Sequence, residues 1–404
     1  MRVLHLVKTT TGAVWALRQI RELRRLGVDV TVALPSDRDG LAPRYAEAGA
    51  DVIAADLDFT ARDCWRLGPA IARCRSLVAR VRPDLIHSHF VSTTIVARLA
   101  LGRHHPVPRL FQVPGPLHLE HALFRALDLA TSGPADRWVA TCRWTEARYR
   151  AAGVAPGRVA LAYYGTDLEQ FAAAPRGVLR AALGLGHDTP LVGMVAWVYP
   201  PRWTAGRLRG VKGHEDFIDA FARLRALWPR ARAVVVGGAW AGAAAYERRL
   251  VARARRVCGD ALQFTGPRDD VPAVYADLDL AVHPSLSENC GGAVESLAAG
   301  CPTIATAVGG LPDVVIPDRT GWLVPPRDPG ALASVMLAAL TDRAEARRRA
   351  VAGREHVRGL FAAARSAREI AGLYRRILEG GGAAPQARPA GGVRRAPTEE
   401  PACV

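Results

Sequence analysis

The chain reads as an α/β protein of two Rossmann-like domains with a cleft between them. Three observations carry that reading. Short apolar runs closed by glycine recur through both halves, each followed by a stretch of helical length, the signature of parallel βα units. A segment rich in Ala, Gly and Pro divides the chain near its middle. With 404 residues, half of them apolar, there is enough sequence for two sizeable cores. The expected division is an N-terminal domain over residues 1–172, a linker and hinge over 173–190, and a C-terminal domain over 191–359. A last helix over 360–379 and a disordered tail over 380–404 complete it.

The formal charge is +16, but the arginines are spread along helices such as 18–25 and 73–82. No basic run is interleaved with the aromatics that stack bases, so nucleic acid is set aside as a partner. Solvated helix faces account for the charge, and weak attraction to an anionic membrane surface is the second reading. Only two of the 54 basic residues are lysines, Lys8 and Lys212, and each lies after the first strand of its half. No run approaches the roughly 20 apolar residues of a membrane span. The opening MRVLHLVKTTTG is a strand and loop, not a signal peptide. A cytoplasmic protein is expected, peripheral at most on the inner face of the membrane. Seven cysteines without a C-x-x-C pair read as reduced thiols.

Taken in order, residues 3–7 form a strand, 8–12 a loop, 13–26 an amphipathic helix and 28–34 a second strand. The loop holds one glycine, Gly12, where a dinucleotide fold would want G-x-G-x-x-G, which counts against an NAD enzyme. It could equally be an ordinary β–α turn. Strands follow at 50–53 and 85–87, separated by a basic helix over 64–81. The pair His87 and His89 at a strand end is expected to point to opposite faces and to be structural, with no metal. A strand at 110–113 leads into Pro114–His121, a loop at the sheet's C-terminal edge carrying His118. His118 and His121 lack the spacing and third ligand of a zinc site. A strand at 137–141, a helix at 144–152 and a strand at 159–162 close the first half.

The second half opens with a wholly apolar strand, 191–198, as a buried parallel strand should be. The loop 199–213 is long for a βα connection and ends in Lys212-Gly213 before a helix over 214–227. Strands at 233–236 and 262–265 alternate with helices at 246–257 and 271–278. Asp277 and Asp279 form a D-x-D at a helix-to-strand junction, read as capping and surface. Then comes the most informative stretch, HPSLSENCGGAVESLAAGCPTIATAVGGLPDVV. A strand over 280–284 precedes Gly291-Gly292 and a helix; a strand over 302–308 precedes Gly309-Gly310 and another turn of helix. Such loops present backbone N–H groups and positive helix ends to phosphates. Glu288 and Glu295 beside them would clamp phosphate poorly but accept well from sugar hydroxyls. Together they suggest a sugar nucleotide. A strand at 321–324 and helices at 329–340, 344–356 and 360–378 finish the fold.

Glu295-Ser-Leu-Ala-Ala-Gly300-Cys-Pro302 resembles the donor signature of the family 4 glycosyltransferases, which have the GT-B architecture. The six residues between Glu288 and Glu295 make the loop one residue tighter than the family's. The resemblance implies further residues. Gly12 matches a glycine in the loop that closes over the diphosphate, and His118 matches an active-site histidine of the acceptor side. Lys212 matches a lysine facing the diphosphate, whose companion arginine is Arg202, Arg207 or Arg209, with Arg209 chosen for its proximity. In Tyr163-Tyr-Gly165-Thr-Asp167, the family's Gly and Asp stand while Tyr164 and Thr166 replace Asn and Val. The last helix is expected to cross back to the first domain.

The expected reaction moves a hexose from a nucleoside diphosphate to a glycan, lipid-linked or small-molecule hydroxyl, with retention implied by the family. Lys212, Glu288 and His118 are the candidate catalytic residues. Gly12, Arg209, Lys212, Gly291, Gly292, Glu295, Gly309 and Gly310 are the candidate donor-binding residues. Glu288 would take sugar hydroxyls and Glu295 the ribose. No metal and no cofactor is expected. The alternatives are a sugar-nucleotide epimerase and a non-catalytic binder of the same fold.

Overall fold

The computed structural model describes residues 1–201 and 209–380. Arg202, Arg207 and the tail beyond Gly380 lie outside the described residues. Two parallel sheets form the protein. The first has the strands β1 (Arg2–Leu6), β2 (Asp29–Leu34), β3 (Asp51–Ala54), β4 (Leu85–Ser88), β5 (Arg109–Gln112), β6 (Asp136–Ala140) and β7 (Val159–Leu161). Their spatial order is β3-β2-β1-β4-β5-β6-β7. The second has β8 (Leu191–Val195), β9 (Arg232–Val236), β10 (Leu262–Gly266), β11 (Leu280–His283), β12 (Thr303–Thr306) and β13 (Trp322–Val324), ordered β10-β9-β8-β11-β12-β13. In each sheet the strand order reverses beside the first strand, between β1 and β4 and between β8 and β11. A crevice opens outside the strand ends at such a point. The GT-B architecture is thus present in full, two Rossmann-like sheets each with its own switch point.

Strand periodicity sorts the core. On β1, Val3 faces one cluster, while Leu4 and Leu6 face another on the opposite side. On β4, Leu85 joins Val3's side and Ile86 the other. A period of two therefore puts His5 on Val3's face, and His87 and His89 on Leu85's. The expectation that His87 and His89 diverge is wrong, because residues two apart in extended chain share a face. All three are fully buried.

The helix Arg343–Phe361 stops at Ala362, whose extended backbone breaks the run, and Ala363–Leu378 starts afresh. This last helix buries Ala367, Ile370, Ala371 and Tyr374, at spacings of three and four, against the first sheet. Ile370 is fully buried, worth about 1.5–3 kcal/mol. The return passes Thr166, whose N–H donates to Phe361 O at 2.7 Å.

Several elements differ from expectation, among them a short helix, Ala42–Glu47, that the sequence reading did not place. The linker carries a turn of helix, Val178–Ala182, fixed by the D-x-D pair. Asp277, buried, accepts from the N–H groups of Gly177, Leu179 and Arg180, and Asp279 pairs with Arg180 at 2.7 Å. The D-x-D caps as expected, but Asp277 is not at the surface. The helix Val91–Leu101 was not foreseen, because it is buried nearly all round and rich in β-branched residues, so it has no polar face to betray its period. Its Arg98 is buried between Asp128, at 2.6 Å, and Asp136, at 2.9 Å. The six described cysteines are all free thiols.

Candidate active site

A pocket lies at the C-terminal ends of β8 and β11, the second sheet's switch point. Met194, Val195 and Ala196 line it from β8 and its end, with Lys212, His283, Ser285, Glu288 and Gly292 around them. Lys212 gets there through its neighbour. Gly213 adopts φ +73°, and a Cβ on it would stand 1.9 Å from Pro284 O, so only glycine lets the loop lie against the end of β11. That packing sets the Lys212 ammonium in contact with the Glu288 carboxylate.

Glu288 is held from several sides. Ser285 Oγ donates to its Oε2 at 3.2 Å, and the Asn289 N–H to its Oε1 at 3.1 Å. Its own carbonyl accepts from Gly310 N–H at 3.1 Å. Gly309, at φ +51°, leaves the space for this, since a Cβ there would sit 1.9 Å from Glu288 O. The second glycine pair thus clamps the backbone of the first loop, and the tighter loop still keeps Glu288 in the pocket. Burial works against charge on both members of the pair. The partnership outweighs it, raising the Lys212 ammonium above its ordinary pKa and lowering the Glu288 carboxyl below its own.

Glu295 sits in the helix Gly291–Ala298. Burial raises its pKa, restrained by Arg18 and Lys212. Arg18 belongs to the helix Val14–Arg25 of the first half, where it pairs with Asp167 at 3.5 Å, and its charge is felt at Glu295 across the cleft. Sequence reasoning missed Arg18; as one arginine among many on a helix it carries no signal of its own. His283, held neutral by burial with a pKa of about 4, bonds Ser296 Oγ at 3.0 Å within the helix Gly291–Ala298 and ties it to the end of β11.

The other expected residues lie further out. Gly12, at φ +71°, faces the second domain, where a Cβ would meet the Trp240 ring at 3.5 Å. Arg209 is engaged with Asp216 on the helix His214–Leu227 and does not line the pocket. His118 turns into its own half. Its Nε2 lies 3.0 Å from Tyr149 Oη and 3.6 Å from Asp128 Oδ2, and the residue is 9% exposed. It stands in a turn of helix, Leu117–Glu120, where a loop was expected, and that turn nevertheless meets the pocket loop, because Ser287 Oγ donates to Glu120 Oε1 at 2.8 Å. Asn289 Nδ2 likewise reaches Thr141 Oγ1 at 3.0 Å, so the two halves touch beside the pocket.

Residues 12–170 match the Glycosyltransferase Family 4 domain, and residues 203–342 match the domain described as Glycosyl transferases group 1. Among curated relatives, the D-inositol 3-phosphate glycosyltransferase 2 of Catenulispora acidiphila is 29% identical over 360 residues, 80% of each chain. The D-inositol 3-phosphate glycosyltransferase of Mycobacterium sp. (strain KMS) is 36% identical over 179 residues, 43% of this chain and 38% of that one. The chain thus spans under half of that second relative's length. Anabaena HepE, solved in complex with UDP-glucose, superimposes with a TM-score of 0.76 at 20% identity, over 93% of this chain and 99% of that one. Two facing Rossmann-like sheets with these matched domains define a glycosyltransferase of the GT-B fold. The chain belongs to the family 4 glycosyltransferases.

Proposed function

We propose that the enzyme transfers a hexose from a nucleoside diphosphate to an acceptor hydroxyl with retention. The observation that carries the reading is the Lys212–Glu288 pair set in the pocket at the β8–β11 switch point. A bound diphosphate would draw the Lys212 ammonium from Glu288 and use it, with the N-terminal end of the helix at Gly291 and Gly292, to stabilise the leaving phosphate. Glu288, released, would accept from hydroxyls of the transferred sugar. Glu295 would accept from the ribose, and Gly309 and Gly310 hold the pocket loop in shape. His118 and Gly12 are proposed on the acceptor side and at the cleft rim. Arg209 would need to leave Asp216 to reach the diphosphate.

UDP-glucose is the first donor to test, because the HepE structure contains it, and a phosphorylated polyol is the first acceptor, from the relatives' name. Weak peripheral membrane association is also proposed. The helix Ala122–Ala130 turns Leu123, Phe124 and Leu127 outward just past the loop of His118, on a chain of net charge +16. No described helix is long and apolar enough to cross a membrane.

The test is a screen of nucleotide sugars for thermal stabilisation, followed by product analysis with and without acceptor. Transfer requiring acceptor and keeping the anomeric configuration supports the reading. Turnover of the sugar nucleotide without acceptor would favour an epimerase, and binding without turnover a non-catalytic protein.

A further inference from the structure

We infer that His5, His87 and His89 form a transition-metal site, of which zinc is the ion best suited, at the switch point of the first sheet. His5 lies on β1 and is in register with His87 on the adjacent β4, and His89 follows β4 on the same face. The rings of His87 and His89 stack at 4.3 Å, and His5 lies 4.8 Å and 5.2 Å from them. One ring nitrogen of each histidine lies within 4.8 Å of those of the other two.

The hydrogen bonds around the cluster support ligation. A metal-bound imidazole commonly uses its second nitrogen on an outer partner, which fixes the ring. An ion held by His5 Nδ1, His89 Nε2 and His87 Nε2 would leave the other three nitrogens on tyrosine hydroxyls. His89 Nδ1 lies 3.0 Å from Tyr164 Oη, His87 Nδ1 2.5 Å from Tyr374 Oη, and His5 Nε2 3.3 Å from the same Tyr374 Oη. Of the first three, His5 Nδ1 and His89 Nε2 are 2.9 Å apart, while His87 Nε2 is buried without a well-formed hydrogen bond among the described residues, the Gln112 side chain being the neutral group that interacts with His87. An unpartnered buried ring nitrogen costs stability unless something fills its coordination.

Zinc–nitrogen bonds of about 2.0–2.1 Å set ligand nitrogens roughly 3.3 Å apart, so the 2.9 Å pair would open slightly and the third ring would close in by up to about 1.5 Å. An all-imidazole set suits zinc and its first-row neighbours and offers nothing to calcium or magnesium, which want oxygen. Burial holds the imidazoles well below their usual range, so the rings are already in the neutral form that binds metal. The ion would tie β1 and β4 to Tyr374 on the crossing helix. The site shares no residue with the donor pocket, so it stands apart from the reading of the reaction.

The test uses the full chain, stripped with chelator and titrated with zinc chloride by calorimetry, and with cobalt chloride by absorbance. The expected result is one saturable equivalent, a ligand-field band of nitrogen-coordinated cobalt, and a higher Tm with zinc. His87→Ala should weaken binding by about 100-fold or more, and Tyr374→Phe roughly 10–100-fold, as an outer partner does. Replacing the neighbouring pair His104 and His105 by alanine should change nothing. The wild-type chain needs no variant to be decisive: failure to take up one equivalent, or cobalt uptake without the band, overturns the site. So does an equivalent that persists in His87→Ala or disappears with His104 and His105.

Discussion

The ammonium of Lys212 rests on the carboxylate of Glu288, across the ends of the neighbouring strands β8 and β11 at the second sheet's switch point. The contact is built by backbone on both sides, through Gly213 beneath the lysine and Gly309 beneath the glutamate. A pair so placed is poised to exchange one anion for another. Lys212→Ala should therefore lower turnover by about 10²–10³, the cost of one preorganised charge stabiliser. Lys212→Arg should also lose most of the activity, because the planar fork is too broad for a seat shaped around a point charge. A wild-type rate in Lys212→Arg would show that the position needs only charge.

Glu288→Gln should reduce turnover more than donor affinity, since it keeps the shape but accepts less strongly from sugar hydroxyls. It also leaves Lys212 without its carboxylate, so the donor should bind at least as tightly in calorimetry. Unchanged kinetics would place the transferred sugar away from Glu288.

The sequence shows why some of this was readable and some not. Lys212-Gly213 and the paired glycines are local necessities: a lysine that must reach a strand end needs the glycine that lets its loop lie there. The parallel βα repeats follow from strand–loop–helix order, but the point where each sheet's order reverses is a matter of how the strands pair in space. Arg18 could not be found this way, because it contacts Asp167 in its own half and its charge reaches Glu295 only once the halves are placed. His118 shows the opposite failure. A motif match identifies the loop, but the ring's orientation depends on Asp128 and Tyr149, which lie on two other helices.

His118→Ala should leave donor affinity unchanged, measured by calorimetry with the nucleotide sugar, and reduce transfer. Tyr149→Phe removes the hydroxyl bonded to His118 and Asp128 but keeps the ring. It should lower Tm and reduce transfer less than His118→Ala does. Equal loss of Tm with no difference in transfer would make His118 purely structural.

Transfer should proceed at the same initial rate with magnesium and with excess chelator, because protein cations and a helix end are proposed to carry the leaving charge. The inferred histidine site does not alter this, as imidazoles do not favour magnesium. A rate lost in chelator and restored by magnesium would refute it. A slow decline in chelator restored by zinc would instead reflect the loss of a stabilising ion.

Asp128 gives an acid limb to stability. Burial alone would raise its carboxyl, but His118 and Arg98 outweigh it and bring it to about 2. A depressed pKa stabilises the fold fully above the unfolded value of about 4, and that stability is lost as pH falls from there toward 2. Asp128→Asn should flatten this limb in denaturation followed by circular dichroism. It should also cost about 3–5 kcal/mol near neutrality, because the buried Arg98 loses one of its two carboxylates.

Arg18 makes the most specific claim about how the halves cooperate. Burial raises the Glu295 pKa, and the Arg18 charge from the opposite half is the first of the groups that restrain it. Only the ionised carboxylate accepts from two ribose hydroxyls at once, so donor affinity should fall below the Glu295 pKa. Removing Arg18 lets that pKa climb, which moves the acid limb of donor affinity to higher pH. Arg18→Ala should therefore bind donor nearly as well as wild type at high pH and progressively worse toward acid. Arg18→Lys, keeping the charge, should restore most of the profile. Glu295→Gln, with no proton to gain, should bind weakly at every pH and show no acid limb from this group, and Arg18→Ala on that background should shift nothing. Donor titrations by calorimetry across pH, in the three single variants and the double, separate these outcomes. A uniform loss in Arg18→Ala would mean that Arg18 meets the donor itself, and an unshifted profile would mean that the cross-cleft charge does not reach Glu295 in the working enzyme.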